Sequence, residues 1–367
     1  MKLADTGLTS QDIKDKVSKY MIETYERFDF LAETAKDQYI YDENGEAYLD
    51  FYAGIAVNSA GSCNEKVVAA AVEQTKTLMH TFNYPYTIPQ ALLAEKVCET
   101  IGMDKIFYQN SGAEANEAMI KLARKYSYDK YGEGRATIIT LKNSFHGRTI
   151  TTLKATGQDV FHKDFQPLTP GFVHVEANNV EILKQAIANT NPAAVMLECV
   201  QGEGGVYALT MEFMLHADKL CKENDIPFIM DEVQTGNGRT GKLYGYMHFG
   251  IQPDIVSTAK GLGGGLPIGA TLMGEKVQNV LKPGDHGSTY GGNPVCCAGA
   301  LSVIDRLNEA FLAEVREKAA YVREALAGAP GVEAVSGLGL MIGIKTTRPA
   351  GEIVRECIGK GVLCLTA

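Results

Sequence analysis

No run of roughly 18 apolar residues, the length that spans a bilayer, occurs in this sequence of 367 residues. The opening MKLADTGLTSQDIKDK also lacks the apolar stretch of a secretion signal and is too acidic for a typical transit peptide, so a cytoplasmic protein is expected. Basic charge is in short supply: 35 Lys and Arg against 44 Asp and Glu give a formal net charge of -9, which argues against a nucleic-acid surface. None of the eight cysteines belongs to a Cys-x-x-Cys pair, and most stand in apolar contexts. Reduced, packed thiols are expected in place of a disulfide framework or zinc centre, and no metal site is predicted. Repeats, low-complexity tracts and Pro/Ser-rich linkers are missing too.

What remains is a chain too long for one usual hydrophobic core. A polar amphipathic helix opens it, and YIYDENGEAYLDF alternates apolar and polar residues about Asn44-Gly45, the pattern of a hairpin with a tight turn. From about residue 64 helical periodicity (NEKVVAAAVEQTKTLMH, AEANEAMIKLARKYSYDKY, VEILKQAIANT, MEFMLHADKLCKEN) alternates with short apolar strands (KIFYQ, ATIITL, FVHVE, AAVMLECV, IPFIMDEV, DIVSTAK, ATLMG). The pattern predicts an α/β fold whose large domain holds a mostly parallel sheet flanked by helices. A helical stretch to about residue 328 and the antiparallel-looking VEAVSGLGLMIGIKT predict a smaller α+β domain that shares its sheet with the N-terminal hairpin. The expected division is 1–60, a segment contributing to the small domain; 61–295, the large domain; and 296–367, the C-terminal small domain.

In open α/β sheets ligands gather at the carboxyl ends of the strands. Three strands end there in useful groups: VMLECVQGEGG with Glu198 and Glu203, FIMDEVQTGNGRTG with Asp231 and Gln234, and DIVSTAK with Lys260. Asp231 follows an apolar run and is expected to be buried, a position that is costly for a carboxylate without a partner; a plain structural cap is the alternative. Ser111, Gly112 and Ala113 open a strongly helical segment, where free N–H groups favour a phosphate, although Ser-Gly is also an ordinary helix cap. KNSFHGRT puts Phe145, His146 and Arg148 on a loop after a strand. The aromatic ring could lie on a flat ligand and the arginine could clamp a carboxylate, against the plainer readings of a core ring and a surface ion pair. His146 has no partner at metal spacing and receives no ligand role. Lys260 precedes GLGGG, and the bare glycines are expected to leave room for something wide and flat. Neither glycine stretch is a Walker loop, because no Gly-Lys-Ser/Thr follows. A phosphate cradle, a stacking ring, a buried carboxylate for a ring nitrogen and a lysine able to form an imine are together what pyridoxal 5'-phosphate requires.

The motifs LDFYAGIAVNSAG, NSGAEANEAMIKLARKY, SFHGRT, VQGEGGV, FIMDEVQTGNGRTGKLY, PDIVSTAKGLGGGLPIGA and HGSTYGGNPV are similar, in order, to those of the class III aminotransferases of PLP fold type I. The resemblance covers nearly the whole chain. It implies a seven-stranded large-domain sheet, and a phosphate held by Ser111, Gly112 and Ala113. Phe145 and Val233 would flank the ring, Asp231 would meet its nitrogen, Gln234 its hydroxyl, and Lys260 would be the imine lysine. The resemblance further implies a homodimer in which Thr289 reaches the partner's phosphate and Ser288 the partner's substrate. Arg148 would hold the donor's carboxylate, and Glu203 would mask a second arginine while the donor is bound. The branch it resembles most moves the terminal amino group of N-acetylornithine to 2-oxoglutarate. Other class III donors, and a PLP-dependent lyase or decarboxylase, are the alternatives. Two departures stand out: GSCNEKVV replaces the family's Gly-His-x-His-Pro, and the sequence ends at GVLCLTA, before the family's late arginine, so a shortened small domain is expected.

Overall fold

The structure, a computed structural model, describes residues 1–367. The N-terminal hairpin forms as expected: β1 (Ala32–Lys36), β2 (Tyr39–Asp42) and β3 (Ala47–Asp50) run antiparallel, with Gly45 at φ 84° in the turn between β2 and β3. Such a dihedral suits glycine, which has no Cβ to clash.

The large sheet is built from β4 (Lys105–Gln109), β5 (Ile138–Leu141), β6 (Phe172–Val175), β7 (Ala194–Leu197), β10 (Phe228–Asp231), β11 (Ile255–Thr258) and β12 (Gly269–Met273). A small antiparallel ribbon, β8 (Val200–Gln201) with β9 (Tyr207–Ala208), follows β7 in the chain. The seven-strand order is β4-β12-β11-β10-β7-β5-β6. Strands β11, β10, β7, β5 and β6 pair in parallel, whereas β12 is antiparallel to both its neighbours. β5, β7, β10 and β11 are buried at every residue. They show no alternation of buried and exposed residues because both faces of the sheet are covered, and their few polar residues, Thr140, Asp231, Ser257 and Thr258, are buried too. Successive side chains feed opposite cores: Val195, Leu197, Met230 and Val256 one, Ala194, Met196, Ile229 and Ile255 the other. Each full burial of such an aliphatic side chain stabilises the fold by about 1.5–3 kcal/mol.

Helices Glu65–Thr77, Gly112–Tyr131, Val180–Thr190 and Met211–Glu223 match the periodic segments, each with an Asn, Ser or Thr side chain accepting at its N-terminus. Helix Ile88–Ile101 went unread in the sequence, although Pro89 in its first turn and Gly102 at φ 67° past its end are its punctuation. The long C-terminal helical stretch is two helices, Pro294–Arg306 and Glu309–Leu326, separated where Asn308 caps the second.

The C-terminal segment does share a sheet with the N-terminal hairpin, but not through VEAVSGLGLMIGIKT. β13 (Val332–Leu338) and β14 (Met341–Thr346) pair only with each other; it is β15 (Val362–Leu363) that joins the hairpin sheet, parallel to β3. Gly337 at φ 92° would set a Cβ 2.1 Å from the Met341 carbonyl, so the β13–β14 turn is closed by backbone contact.

Candidate active site

β10 and β11 run parallel and in register, with Asp231 opposite Ser257, so their carboxyl ends bring Asp231 and Lys260 to one rim. β12 returns antiparallel, Ala270 opposite Thr258, and places its first residues at the same rim. On its other side Gly269 faces Gln109 of β4, two residues before Ser111. A Cβ on Gly269 would lie 2.3 Å from the Ser111 carbonyl oxygen, so glycine is required for this approach.

Asp231 is 4% exposed. Its Oδ2 accepts from His146 Nδ1 and Asn116 Nδ2, each at 2.7 Å, and its Oδ1 from the Val233 amide at 3.0 Å and Ser257 Oγ at 3.2 Å. Four donors compensate the burial, which makes Asp231 more than a backbone cap. His146 and Asn116 were missed as site residues. The His146 side chain is sealed from solvent, and its Nε2, like Asn116 Oδ1, has no partner. Asn116 Nδ2 also donates to the His146 carbonyl at 2.7 Å, pinning the loop that carries Phe145 and Arg148.

Lys260 stands at φ 46°, a left-handed conformation that costs a side-chain-bearing residue roughly 1–2 kcal/mol. Its amine is largely buried and makes neither a hydrogen bond nor an ion pair. Burial pulls the Lys260 ammonium below its usual pKa, while the charges of Glu203, Asp231 and Glu198 oppose that pull and Arg239 adds to it. The glycines after it do a different job from the one expected. A Cβ on Gly261 would lie 2.9 Å from Ser59 Oγ, and one on Gly263 would lie 2.0 Å from the Leu266 carbonyl. These two glycines serve close packing and a tight turn, and of the run only Gly265 borders open space.

The loop after β5 is held from beneath. The Phe145 amide donates to Glu198 Oε2 at 2.9 Å. Burial first, then the Asp231 charge, push the Glu198 carboxyl well above its usual range. Arg148 is exposed and forms no ion pair or hydrogen bond within the chain; its guanidinium lies 4.2 Å from the Phe161 ring and 5.5 Å from the Phe145 ring. The surface ion pair considered from the sequence does not form. Gln234 Nε2 donates to Glu203 Oε1 at 3.2 Å, and a Cβ on Gly202 would meet Gln234 Oε1 at 1.9 Å. Ser288 Oγ accepts from Asn110 Nδ2 at 3.3 Å and from the Gly291 amide at 3.0 Å, while Thr289 is exposed.

These residues fit pyridoxal 5'-phosphate. The Gly112 and Ala113 amides open a helix of 20 residues with no acceptor inside it, and Ser111 caps that helix. A Cβ on Gly112 would sit 2.5 Å from Val233 Cγ1, which fixes the cradle against the residue expected on one face of the ring. A buried carboxylate and an unpartnered amine complete the set.

The fold and this site together define a PLP-dependent transaminase. The chain belongs to the class III aminotransferases, whose family model (aminotransferase class-III) matches residues 20–367. It is 48% identical over 362 residues to the acetylornithine aminotransferase of Haemophilus ducreyi, covering 98% of this chain and 92% of that one. Identity to the acetylornithine aminotransferase of Methanocaldococcus jannaschii is 44%, over 95% of this chain and 89% of its relative. Among solved structures, an ornithine aminotransferase from Toxoplasma gondii superposes with a TM-score of 0.93 at 31% identity, covering 98% of this chain and 88% of that one. The acetylornithine aminotransferase of Elizabethkingia anophelis gives a TM-score of 0.86 at 32% identity, with 98% and 91% covered.

Proposed function

We propose that this chain transfers the terminal amino group of N-acetylornithine to 2-oxoglutarate, giving N-acetylglutamate 5-semialdehyde and glutamate, a step of arginine biosynthesis. The observation that carries the reading is the guanidinium of Arg148, which no group of the chain neutralises, on the loop that also bears Phe145. A donor gripped there by its carboxylate would present its far amino group to the site. The names of the two curated relatives support the same donor.

PLP, when bound, supplies an electron-withdrawing ring that takes up charge from the substrate carbon. Ser111, Gly112 and Ala113 would hold its phosphate, Phe145 and Val233 would flank the ring, Asp231 would meet the ring nitrogen and Gln234 the ring hydroxyl. Lys260 Nζ would take the proton from the carbon that bears the migrating amino group and deliver it to the cofactor side of the C–N bond, so that the nitrogen stays behind when the donor leaves. Its lowered pKa suits that task, because a neutral amine is the base. Glu203, bonded to Gln234, would face the donor from the substrate side.

The working unit is proposed to be a homodimer. Met79, Phe82, Tyr84, Tyr86, Ile88 and Tyr290 are 60% to 103% exposed. Asn83 Nδ2 binds the carbonyls of Ser288 and Gly291, so this apolar band is continuous with the Ser288–Thr289 segment. A patch of that kind marks an interface, and a second copy seated on it would bring Ser288 and Thr289 toward its neighbour's site.

Ornithine as donor is the second reading, favoured by the Toxoplasma gondii superposition. A donor screen with N-acetylornithine, N-succinylornithine, ornithine and 4-aminobutyrate separates the two. N-acetylornithine is expected to lead ornithine in kcat/KM by about tenfold or more; parity or reversal overturns the assignment.

A further inference from the structure

We propose that Phe161 is a positioning residue for Arg148, holding the guanidinium in place before the donor arrives; this rests on the reading of Arg148 as the carboxylate grip. Phe161 ends the short turn Asp159–Phe161, 13 residues beyond Arg148 in the chain. That turn is tied to the Arg148 loop, because Gln158 Nε2 donates to the Ser144 carbonyl at 3.1 Å and the Phe161 amide donates to the Gln158 carbonyl at 3.1 Å. The next residue anchors it from below: His162 Nε2 reaches the carbonyls of Leu153 at 2.8 Å and Thr156 at 2.7 Å. The Phe161 ring on this fixed mount lies 4.2 Å from Arg148 Cζ and stands edge-on to Phe145, with centroids 6.1 Å apart and planes at 79°.

The chemistry follows from how an arginine binds. A π face attracts the flat side of the guanidinium and leaves its in-plane N–H groups free for the two oxygens of a carboxylate. A long exposed side chain loses rotamer freedom when a ligand fixes it, and a ring already lying against it removes part of that loss in advance. No hydrogen bond or ion pair restrains this guanidinium, so the nearer ring, Phe161, carries the task, with Phe145 as the more distant support. Phe161 thereby joins the donor grip and the stacking ring into one braced unit.

The test is a cycle of variants in the holoenzyme: Phe161→Leu, Phe161→Tyr, Arg148→Ala, and Phe161→Leu combined with Arg148→Ala. Removing the ring is expected to raise the KM for N-acetylornithine about threefold to tenfold with kcat held, while Phe161→Tyr keeps the original KM. In the Arg148→Ala background, Phe161→Leu is expected to add nothing further. The affinity of each apoenzyme for PLP, followed by protein fluorescence, should stay unchanged. If Arg148→Ala raises KM but Phe161→Leu does not, or if the two effects simply add, the brace is overturned while the grip stands. Loss of PLP affinity in Phe161→Leu, or a lower kcat at constant KM, also overturns it. If Arg148→Ala leaves KM untouched, the grip itself is wrong and the brace falls with it.

Discussion

Asp231 and His146 share a 2.7 Å hydrogen bond that water does not reach, the histidine side chain being fully buried and the aspartate nearly so. The bond to Asn116, equally short, ends on the same carboxylate oxygen. Two side chains from a loop and a helix therefore fix the direction in which Asp231 faces the rim. His146→Leu or Asn116→Ala is expected to weaken PLP binding and slow turnover by about tenfold to a hundredfold, the worth of one hydrogen bond to a charged group. Titration of the apoenzyme with PLP measures the first and steady-state rates the second; full affinity in both variants would deny the clamp.

A pH dependence follows from Lys260. Burial lowers its folded-state pKa below the ordinary lysine value of 10.5, so a larger share of the amine is neutral at pH 8 than for a surface lysine. PLP should accordingly attach to the apoenzyme with a pH midpoint below that of a solvent-exposed lysine peptide. The sign for folding is equally definite: the depressed pKa opposes folding at neutral pH, and this penalty fades as pH rises through the folded value toward 10.5. Stopped-flow absorbance against pH checks the first statement. Lys260→Ala should abolish both attachment and turnover.

Gly112→Ala tests the cradle. The added methyl would lie 2.5 Å from Val233 Cγ1, so either Val233 or the first helical turn must move. Overpacking of this order costs about 1–3 kcal/mol. The expected result is a lower melting temperature together with weaker PLP affinity, and the second variant Gly112→Ala/Val233→Ala should recover part of both.

Tyr86 is fully exposed in the single chain and lies in the apolar band proposed to meet a second copy. Tyr86→Glu would bury a charge at that contact, and analytical ultracentrifugation should show a shift toward monomer with loss of turnover. A variant that remains dimeric and active would place the interface elsewhere.

Much of this site was legible because the residues that bear its chemistry stand at strand ends. In VMLECV, FIMDEV and DIVSTAK an apolar run stops at a polar group, and strand geometry delivers each stop to one rim. The partners of Asp231 were not legible. His146 lies 85 residues away and Asn116 115 residues away, and a contact between a loop and a helix leaves no periodic trace. The misreading of the glycines has a similar cause. Composition shows that Cβ atoms are missing after Lys260 but not what fills the space, and at Gly261 and Gly263 that is Ser59 and the backbone of Leu266. Strand pairing at the C-terminal end was illegible for another reason, since the two residues of β15 carry too little pattern to compete with the long alternation of β13 and β14.

The single reversed strand, β12, has an architectural outcome. It stands between β11, which leads into Lys260, and β4, which leads into the Ser111 cradle, and it is hydrogen-bonded to both. Two interstrand steps of ~4.8 Å therefore set a gauge of ~10 Å between the strand of the anchoring amine and the strand of the anion-holding turn. Whatever rearrangement accompanies a catalytic cycle, the two points proposed to grip the ends of the cofactor keep a spacing set by the sheet itself, and the substrate must come to them.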